Sequence, residues 1–225
     1  MNKNTFSIIK KNKKPDINNY NLDKFDSKEI GLILLNNPVV MTKHWIKFQQ
    51  EWVNNIYAQF KDHETYIVLM YLIFRTWQDS SNLFKFYSID EYYSQNEINL
   101  PDISLSEIST NLQIPKETIR RKLIVLEKKK IIIRKGQKII LAKLALSLQK
   151  PTTSIKTMSI FFEKLSILLS AQDWFGPCIS REKIELYFNK YYTVFWYHFF
   201  KMQIPFLVRW KEVFGDLESW VIWAI

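Results

Sequence analysis

The residues best suited to a chemical role are the cations concentrated between Ser104 and Lys143. These forty residues contain eleven Lys or Arg against three acids, Glu107, Glu117 and Glu127, which gives the window a net charge of +8. Cations at this density can neutralise nucleic-acid phosphates, and Arg can also pair with the edge of guanine. The charge of the window therefore predicts an anionic partner, and charge alone does not say which.

The positive charge is concentrated in two segments of the chain. The whole chain carries +10, the first 24 residues carry +4 and the window 104–143 carries +8, so the remainder sums to −2. Lys, Asn and Ile are abundant throughout, and such a bias raises net charge without any function. It does not explain why three of only six arginines, Arg120, Arg121 and Arg134, fall in one window.

Other chemistries find little support in the residue types. The four glycines are too widely spaced for a phosphate-binding loop, the single cysteine cannot form an internal disulfide, and the three histidines lack metal-ligand spacing. These residues are Gly31, Gly136, Gly176, Gly215, Cys178, His44, His63 and His198. We therefore expect a protein that is not an enzyme, with no catalytic residue, no metal and no cofactor.

Two helices must position the cations of the window. Ser104 and Glu107 have the spacing of a capping box, which predicts the start of a first helix. The segment Gln113-Ile114-Pro115 ends that helix, and proline suits the first turn of the next one. The second helix is predicted from Lys116 to about Lys129. It has one apolar side, made by Ile119, Leu123 and Leu126.

A β-hairpin is predicted directly after the second helix. The apolar period changes there from helical to extended, with isoleucine-rich runs at residues 131–133 and 139–141. The runs flank a Lys135-Gly136 tip, and a glycine at such a tip is typical of a tight hairpin turn.

The order of helix, turn, basic helix and hairpin is similar to that of a known family of proteins. The string SLSEISTNLQIPKETIRRKLIVLEKKKIIIRKGQKIIL resembles the DNA-reading domain of bacterial winged helix-turn-helix transcriptional regulators, Crp-type above all and MarR- and GntR-type more loosely. The matching positions are Glu107, Lys116-Glu117-Thr118-Ile119, Arg120-Arg121 and Leu123 to Glu127. The chain departs from the pattern at Pro115, where Ser or Thr is usual, and at Lys129-Lys130, where glycine is frequent. The resemblance covers about forty of 225 residues.

The resemblance and the physics of DNA recognition assign roles to individual residues. The N-terminal side chains of a recognition helix reach base edges in the major groove, while neighbouring residues contact the backbone. The predicted base contacts are Lys116, Glu117, Arg120 and Arg121. The predicted backbone contacts are Ser104, Ser106, Thr118 and Lys122, and the predicted wing contacts to the backbone or the minor groove are Arg134, Lys135 and Lys138.

The remaining chain divides by composition into flanking segments. Residues 1–36 are predicted as a basic, mobile N-terminal tail, and residues 37–150 as a helical segment plus the winged domain, with its DNA-reading part at 104–143. Residues 151–225 are predicted as an aromatic-rich helical region, in which Pro205 breaks a helix. The expected fold is mainly α: a winged helix-turn-helix with a small β-hairpin wing, flanked by N- and C-terminal helices.

An internal echo recurs at an offset of 154 residues. Seven identities fall in the 29 positions from Val40 to Val68, and conservative pairs accompany them. The identical pairs are Val40/Val194, His44/His198, Lys47/Lys201, Gln49/Gln203, Phe60/Phe214, Asp62/Asp216 and Glu64/Glu218. The echo is either a duplication or a chance likeness between two amphipathic helix pairs.

These patterns predict a sequence-specific, double-stranded DNA-binding transcriptional regulator. The alternatives are a plasmid or replication initiator with winged-helix units, which the echo favours, and a protein-interaction scaffold.

The longest apolar run, residues 66–74, is half of what a bilayer span needs, so we expect a cytoplasmic protein without a membrane partner. Nine aromatic residues between Tyr187 and Phe200 suggest a homodimer interface or a site for a small-molecule effector of unknown identity.

Overall fold

The computed structural model describes residues 26–78, 87–136, 138–148, 151–171 and 176–219. The protein is mainly helical, as the sequence predicts. Its helices are α1 Ser27–Asn36, α2 Pro38–Phe60, α3 His63–Gln78, α4 Ile89–Tyr93, α5 Leu105–Leu112, α6 Lys116–Lys128, α7 Lys143–Leu148, α8 Thr152–Ser170, α9 Arg181–Lys190 and α10 Tyr192–Phe214. Its strands are β1 Glu97–Asn99, β2 Ile132–Lys135 and β3 Lys138–Ala142.

The three strands form one antiparallel sheet in the order β1-β3-β2. The predicted hairpin is confirmed: Ile132 lies opposite Leu141, and Lys135 lies opposite Lys138 at its end. The tight turn between the strands depends on Gly136, whose φ of +64° lies in the left-handed region. β1 completes the sheet on the other side of β3, where Ile98 lies opposite Leu141.

The chain forms two compact units, each built from two separate segments. One unit combines residues 1–48 with 155–185, and the other combines residues 49–154 with 186–225. The sequence had suggested consecutive segments instead. The boundaries of the units fall within α2, α8 and α9, which composition does not indicate.

The larger unit, formed by 49–154 and 186–225, is built around α3. Every residue of this helix from Thr65 to Phe74 is buried, as its continuous apolar run predicts. Helices α5, α6 and α10 pack against it. The hydrophobic effect therefore fixes α3 as the central element on which the two helices of the basic window rest.

The smaller unit, formed by 1–48 and 155–185, has a core of its own. Ile33 of α1 packs there with three residues of α8, Phe161, Leu165 and Leu169. The Asp26 carboxylate accepts the N–H of Lys28 at 2.8 Å and caps α1. Residues 27–36 are therefore helical, which corrects their assignment to a mobile tail. Residues 1–25 of that predicted tail lie outside the described residues.

The echo in the sequence corresponds to a repeat in the structure. Helices α1 and α9 both have 10 residues, α2 and α10 both have 23, and each pair begins and ends at an offset of 154. Lys61 and Gly215 follow the long helices at equivalent positions, and both have positive φ. Asp62 then accepts the N–H of Thr65, as Asp216 accepts that of Ser219. Agreement over this many local features favours duplication over chance.

Two further expectations are corrected by the structure. Helix α10 continues through Pro205 to Phe214, although proline removes a hydrogen bond to the carbonyl of Lys201. Both residues are exposed, so solvent can satisfy that carbonyl. Strand β1, which the sequence analysis does not predict, is formed by only three residues.

Candidate nucleic-acid interface

Helix α6 has a buried apolar face and an exposed basic face. Ile119, Leu123 and Leu126 are at most 2% exposed, and the helix packs against α3 and α5. The four residues predicted to contact bases are all exposed on its first two turns: Lys116, Glu117, Arg120 and Arg121. The amphipathic pattern thus brings these side chains together on one solvent-facing surface, which we call the basic face.

The turn between α5 and α6 fixes the angle at which the basic face is presented. Gln113 adopts a left-handed conformation with φ of 51° and ends α5. Ile114 is 1% exposed, and its carbonyl accepts the hydroxyl of Ser109 at 2.6 Å. Pro115 then precedes α6 without a side-chain cap. A buried anchor and a side-chain hydrogen bond therefore hold a turn that contains no glycine.

Glu117 and Arg120 form a bidentate ion pair on the basic face. Nε of Arg120 donates to the Glu117 carboxylate at 2.9 Å and Nη2 donates at 2.7 Å. The hydrogen bond from Arg120 lowers the pKa of the Glu117 carboxyl below its usual value. Both side chains are more than half exposed, so the pair is screened by solvent and can exchange partners.

Arg121 and Lys116 have weaker ties to the rest of the protein. Arg121 donates from Nη2 to Oγ1 of Thr118 at 3.3 Å, a neutral partner one turn earlier. Thr118 itself is half-buried and Lys116 is exposed in the first turn. Of the two arginines on the basic face, Arg121 therefore has the guanidinium more available to an external acceptor.

Lys122 does not belong to the basic face, although the sequence assigned it to the DNA backbone. Its Nζ donates to the Asp62 carboxylate at 2.6 Å and lies 3.6 Å from Glu64. The side chain is only 19% exposed. Glu64 also accepts from Lys211 at 2.7 Å. Lys122 therefore connects α6 to the start of α3, and we withdraw it from the predicted interface.

Asp62 keeps its negative charge because of this ion pair. Burial raises the pKa of Asp62, but hydrogen bonds from Lys122 and Thr65 outweigh that effect and leave the pKa below its usual 3.8. The carboxylate accepts the Thr65 hydroxyl at 2.6 Å and its N–H at 3.2 Å. Asp62 thus caps α3 and holds α6 with the same group.

The start of α5 carries the predicted backbone contacts Ser104 and Ser106, both exposed. Ser104 caps the helix as expected, because its Oγ accepts the N–H of Glu107 at 3.0 Å. The Glu107 carboxylate pairs with Arg75 of α3 at 2.8 Å and accepts the hydroxyl of Tyr71 at 3.3 Å. Only half of the predicted capping box therefore forms, because Glu107 connects α5 to α3.

The cations of the hairpin differ in their contacts: two lysines are exposed at the tip, and the arginine is paired with a carboxylate. Lys135 and Lys138 are exposed and lie opposite each other at the tip. Arg134 donates from both Nε and Nη2 to the carboxylate of Glu127 on α6. Both of those side chains are about one-third exposed. The two lysines are therefore open to an anion, whereas Arg134 would have to exchange its carboxylate for a phosphate.

Strand β1 ties the hairpin to the rest of the larger unit. Its three residues pair with β3, and the N–H of Leu100 donates to Ile139 at 3.0 Å. A polar and apolar alternation at Glu97-Ile98-Asn99-Leu100 was the only signal available in the sequence. This pairing holds the base of the β2–β3 hairpin, which would be only marginally stable as a free two-stranded hairpin.

No family model, curated protein or solved structure matches this chain. Among the described residues, no helix has the length and apolarity to cross a membrane. The same part of the chain holds no group of three or more His, Cys, Asp or Glu placed to bind a metal ion.

Proposed function

We propose that the protein is a sequence-specific double-stranded DNA-binding protein that acts as a transcriptional regulator. The observation that carries the proposal is the basic face of α6, with Lys116, Arg120 and Arg121 exposed. The opposite side of the helix is buried on α3 and α5. An exposed helix of this kind fits the major groove, where its first turns reach base edges.

The order and pairing of the elements support a winged helix-turn-helix. Helix α3, the short helix α4, strand β1, helices α5 and α6 and the β2–β3 hairpin follow one another among the described residues, and β1 pairs with β3 on the side opposite β2. In this proposal α6 is the recognition helix and the hairpin is the wing. Lys135 and Lys138 then contact the backbone or the minor groove.

The contacts within the basic face suggest different roles for its arginines. Arg121, tied only to a neutral hydroxyl, is assigned to a guanine edge. Arg120 and Glu117 form an ion pair and act as a unit in which the carboxylate can accept from cytosine and the arginine can bind a phosphate. Backbone contacts at Ser104, Ser106 and Thr118 complete the proposed interface.

Fluorescence anisotropy can test the proposal with two labelled duplexes. One duplex is enriched from a random-sequence library by the full chain, and the other is its scrambled counterpart. Replacing Arg121 with Ala should cost about 1–3 kcal/mol on the enriched duplex and little on the scrambled one. Replacing Lys135 and Lys138 with Ala should weaken both duplexes and reduce the salt slope by about one for each lysine that contacts a phosphate.

Matched controls make the outcome decisive. Arg209→Ala removes an exposed arginine from α10 and should leave both duplexes unaffected. The same titrations on a chain lacking residues 1–24 separate the contribution of the basic N-terminal segment. Affinity that does not change with salt, or equal effects of Arg121→Ala and Arg209→Ala, would contradict the proposal.

The internal repeat favours a replication initiator as the second candidate function. Initiators contain winged-helix units that are sometimes duplicated, and here the repeat covers α1–α2 and α9–α10 without a second copy of α6 among the described residues. Footprinting distinguishes the two candidates. Two half-sites about one helical turn apart would indicate a homodimeric regulator, whereas clustered direct repeats would indicate an initiator.

A further inference from the structure

An uncovered apolar face lies on α1 and the first turns of α2, within the smaller unit. Leu32, Leu35 and Val39 belong to it, and all three are more than half exposed, Leu35 to 74% and Val39 to 82%. Ile46, two turns after Val39 on the same side of α2, is exposed as well. We call these four residues the outer face. Exposed apolar residues concentrated in this way usually mark a contact with another molecule.

Helix α1 is apolar on both of its sides. Ile33 is buried in the core of the smaller unit, and Ile30 and Leu34 pack against that core. Leu32 and Leu35 lie on the opposite side of the helix and are exposed. A helix that is apolar all round is normally covered all round. The outer face is therefore suited to a partner that completes the burial of α1.

The internal repeat has a covered counterpart of this position. Val39 corresponds to Thr193 at the offset of 154, and Thr193 is only 5% exposed. The N–H of Thr193 donates to the carbonyl of Tyr87 at 3.3 Å, and the N–H of Tyr87 donates to Oγ1 of Thr193 at 3.2 Å. Among the described residues, the start of the long helix is thus a contact surface in one copy of the repeat and open in the other.

The charges on the two sides of the outer face have opposite signs. Residues 30–42 contain no charged side chain. The segment 26–29 before them has a net charge of −1, with Glu29 exposed, whereas Lys43 and Lys47 after them are exposed cations. Two such surfaces attract each other when the acidic end of one faces the basic end of the other, and repel each other in parallel order.

A third lysine strengthens the basic end. Burial lowers the pKa of the His44 imidazole, and three neighbouring cations lower it further: Lys164 of α8, Lys43 and Lys47. The start of α2 is therefore surrounded by positive charge from two helices of the smaller unit. Its best complement is an acidic helix end beside an apolar surface, and the first turn of α1 has this character.

We propose that the outer face is the contact between two copies of this chain, related by a two-fold axis through the bend at Asn37. Such an axis lays α1 of each copy over α2 of the other. The two outer faces then meet at the centre, and Glu29 of each copy lies near the partner's Lys43. A second copy supplies both the apolar area and the complementary charges in one isologous contact. This proposal does not rest on the proposed DNA interface.

Sedimentation equilibrium on the full chain measures this association directly. We expect a dimer of twice the chain mass of 27.1 kDa to form at concentrations of about 1–100 µM. Leu32→Lys and Val39→Glu should each weaken dimerisation at least about tenfold, because each places a charge in the apolar centre of the contact. An acid suits the first turn of α2, so Val39→Glu should not reduce the thermal stability of the monomer.

A matched control and a charge exchange identify the surface and its symmetry. Leu186 is equivalent to Leu32 in the repeat and is also more than half exposed, and Leu186→Lys should leave dimerisation unchanged. Glu29→Lys and Lys43→Glu should each weaken dimerisation about two- to tenfold, because the two-fold axis repeats the pair. A chain that carries both charge reversals should recover the affinity of the natural chain.

Three outcomes would overturn the proposal. The first is a chain that stays monomeric at about 100 µM. The second is an equal loss in Leu32→Lys and Leu186→Lys, which would place the contact outside the outer face. The third is no recovery in the chain with both charge reversals, which would exclude the two-fold arrangement.

Discussion

Gln49 and Gln203 donate hydrogen bonds to each other inside the larger unit. Nε2 of Gln203 lies 3.0 Å from Oε1 of Gln49, and Nε2 of Gln49 lies 3.3 Å from Oε1 of Gln203. The two residues are 154 positions apart, at equivalent places in α2 and α10. A reciprocal contact between equivalent residues is what a local two-fold relation produces. The two long helices of the repeat, α2 and α10, therefore contact each other through equivalent residues.

The energetic coupling of this pair can be measured by a double-mutant cycle. Gln49 is 6% exposed and Gln203 is fully buried. Replacing either one with Leu should reduce the free energy of unfolding by about 1–3 kcal/mol, because it leaves a buried amide without its partner. The double replacement should cost less than the sum of the two, as measured by urea denaturation. Additive losses would show that the amides do not depend on each other.

Alanine replacements at two glycines, Gly215 and Gly31, should change the free energy of unfolding in opposite directions. Gly215 has φ of +84°, which strains any residue with a Cβ, and Gly31 lies within α1 without that strain. Gly215→Ala should therefore reduce stability by about 1–2 kcal/mol. Gly31→Ala should increase it by about 0.5–1 kcal/mol.

Both replacements place a methyl group in open space, so a difference in thermal or urea unfolding reports the backbone alone. Changes of the same sign would contradict the assignment of strain at Gly215. Lys61 tolerates its own positive φ of 54° at the equivalent position, since that value lies in the left-handed basin that other residues visit at moderate cost.

The ion pair of Lys122 should make the stability of the protein depend on pH. The pKa of Asp62 is lower in the folded protein than its usual 3.8. Its contribution is therefore complete well above pH 3.8 and is lost as the pH falls through the folded value. Lys122→Met should reduce the free energy of unfolding by about 1–3 kcal/mol at neutral pH.

The deficit of Lys122→Met relative to the natural chain should shrink as acid protonates Asp62. Lys128→Met removes an exposed lysine of the same helix and serves as the control, with little effect at any pH. Urea unfolding at several pH values between neutral and about 3 measures both variants. A deficit that is constant with pH would exclude the carboxylate as the partner that matters.

Local signals in the sequence predicted the secondary structure of residues 104–143 well. Ser104 caps α5 and Pro115 precedes α6, because caps and turns depend on residues within a few positions. The hairpin formed where the apolar period changed from helical to extended. The exposure of Arg121 followed from its place opposite Ile119 and Leu123 on the same helix.

Contacts between distant residues could not be predicted in the same way. Lys122 has the spacing of a solvent-facing residue, yet its partner Asp62 lies 60 positions earlier in the chain. Glu107 has the spacing of a capping box but pairs with Arg75 of α3. The periodicity of apolar residues predicts which face of a helix is buried. It does not predict which charged residues of distant segments form ion pairs, because that depends on the tertiary structure.

The Glu117–Arg120 pair gives the last prediction, which rests on the proposed DNA interface. Glu117→Gln removes one negative charge from the basic face and releases the Arg120 guanidinium. Affinity for a scrambled duplex should rise, and the slope of log affinity against log salt should become steeper by about one if the freed arginine binds a phosphate.

The same replacement separates two roles of the glutamate. If Glu117 accepts from cytosine, Glu117→Gln should lose about 1–3 kcal/mol of discrimination at one base pair of the enriched duplex, while the scrambled duplex gains affinity. Glu212→Gln is the matched control, because it removes an exposed carboxylate of α10 that is outside the proposed DNA interface. A gain on the scrambled duplex with unchanged discrimination would limit Glu117 to restraining Arg120. No change on either duplex would place the ion pair outside the interface.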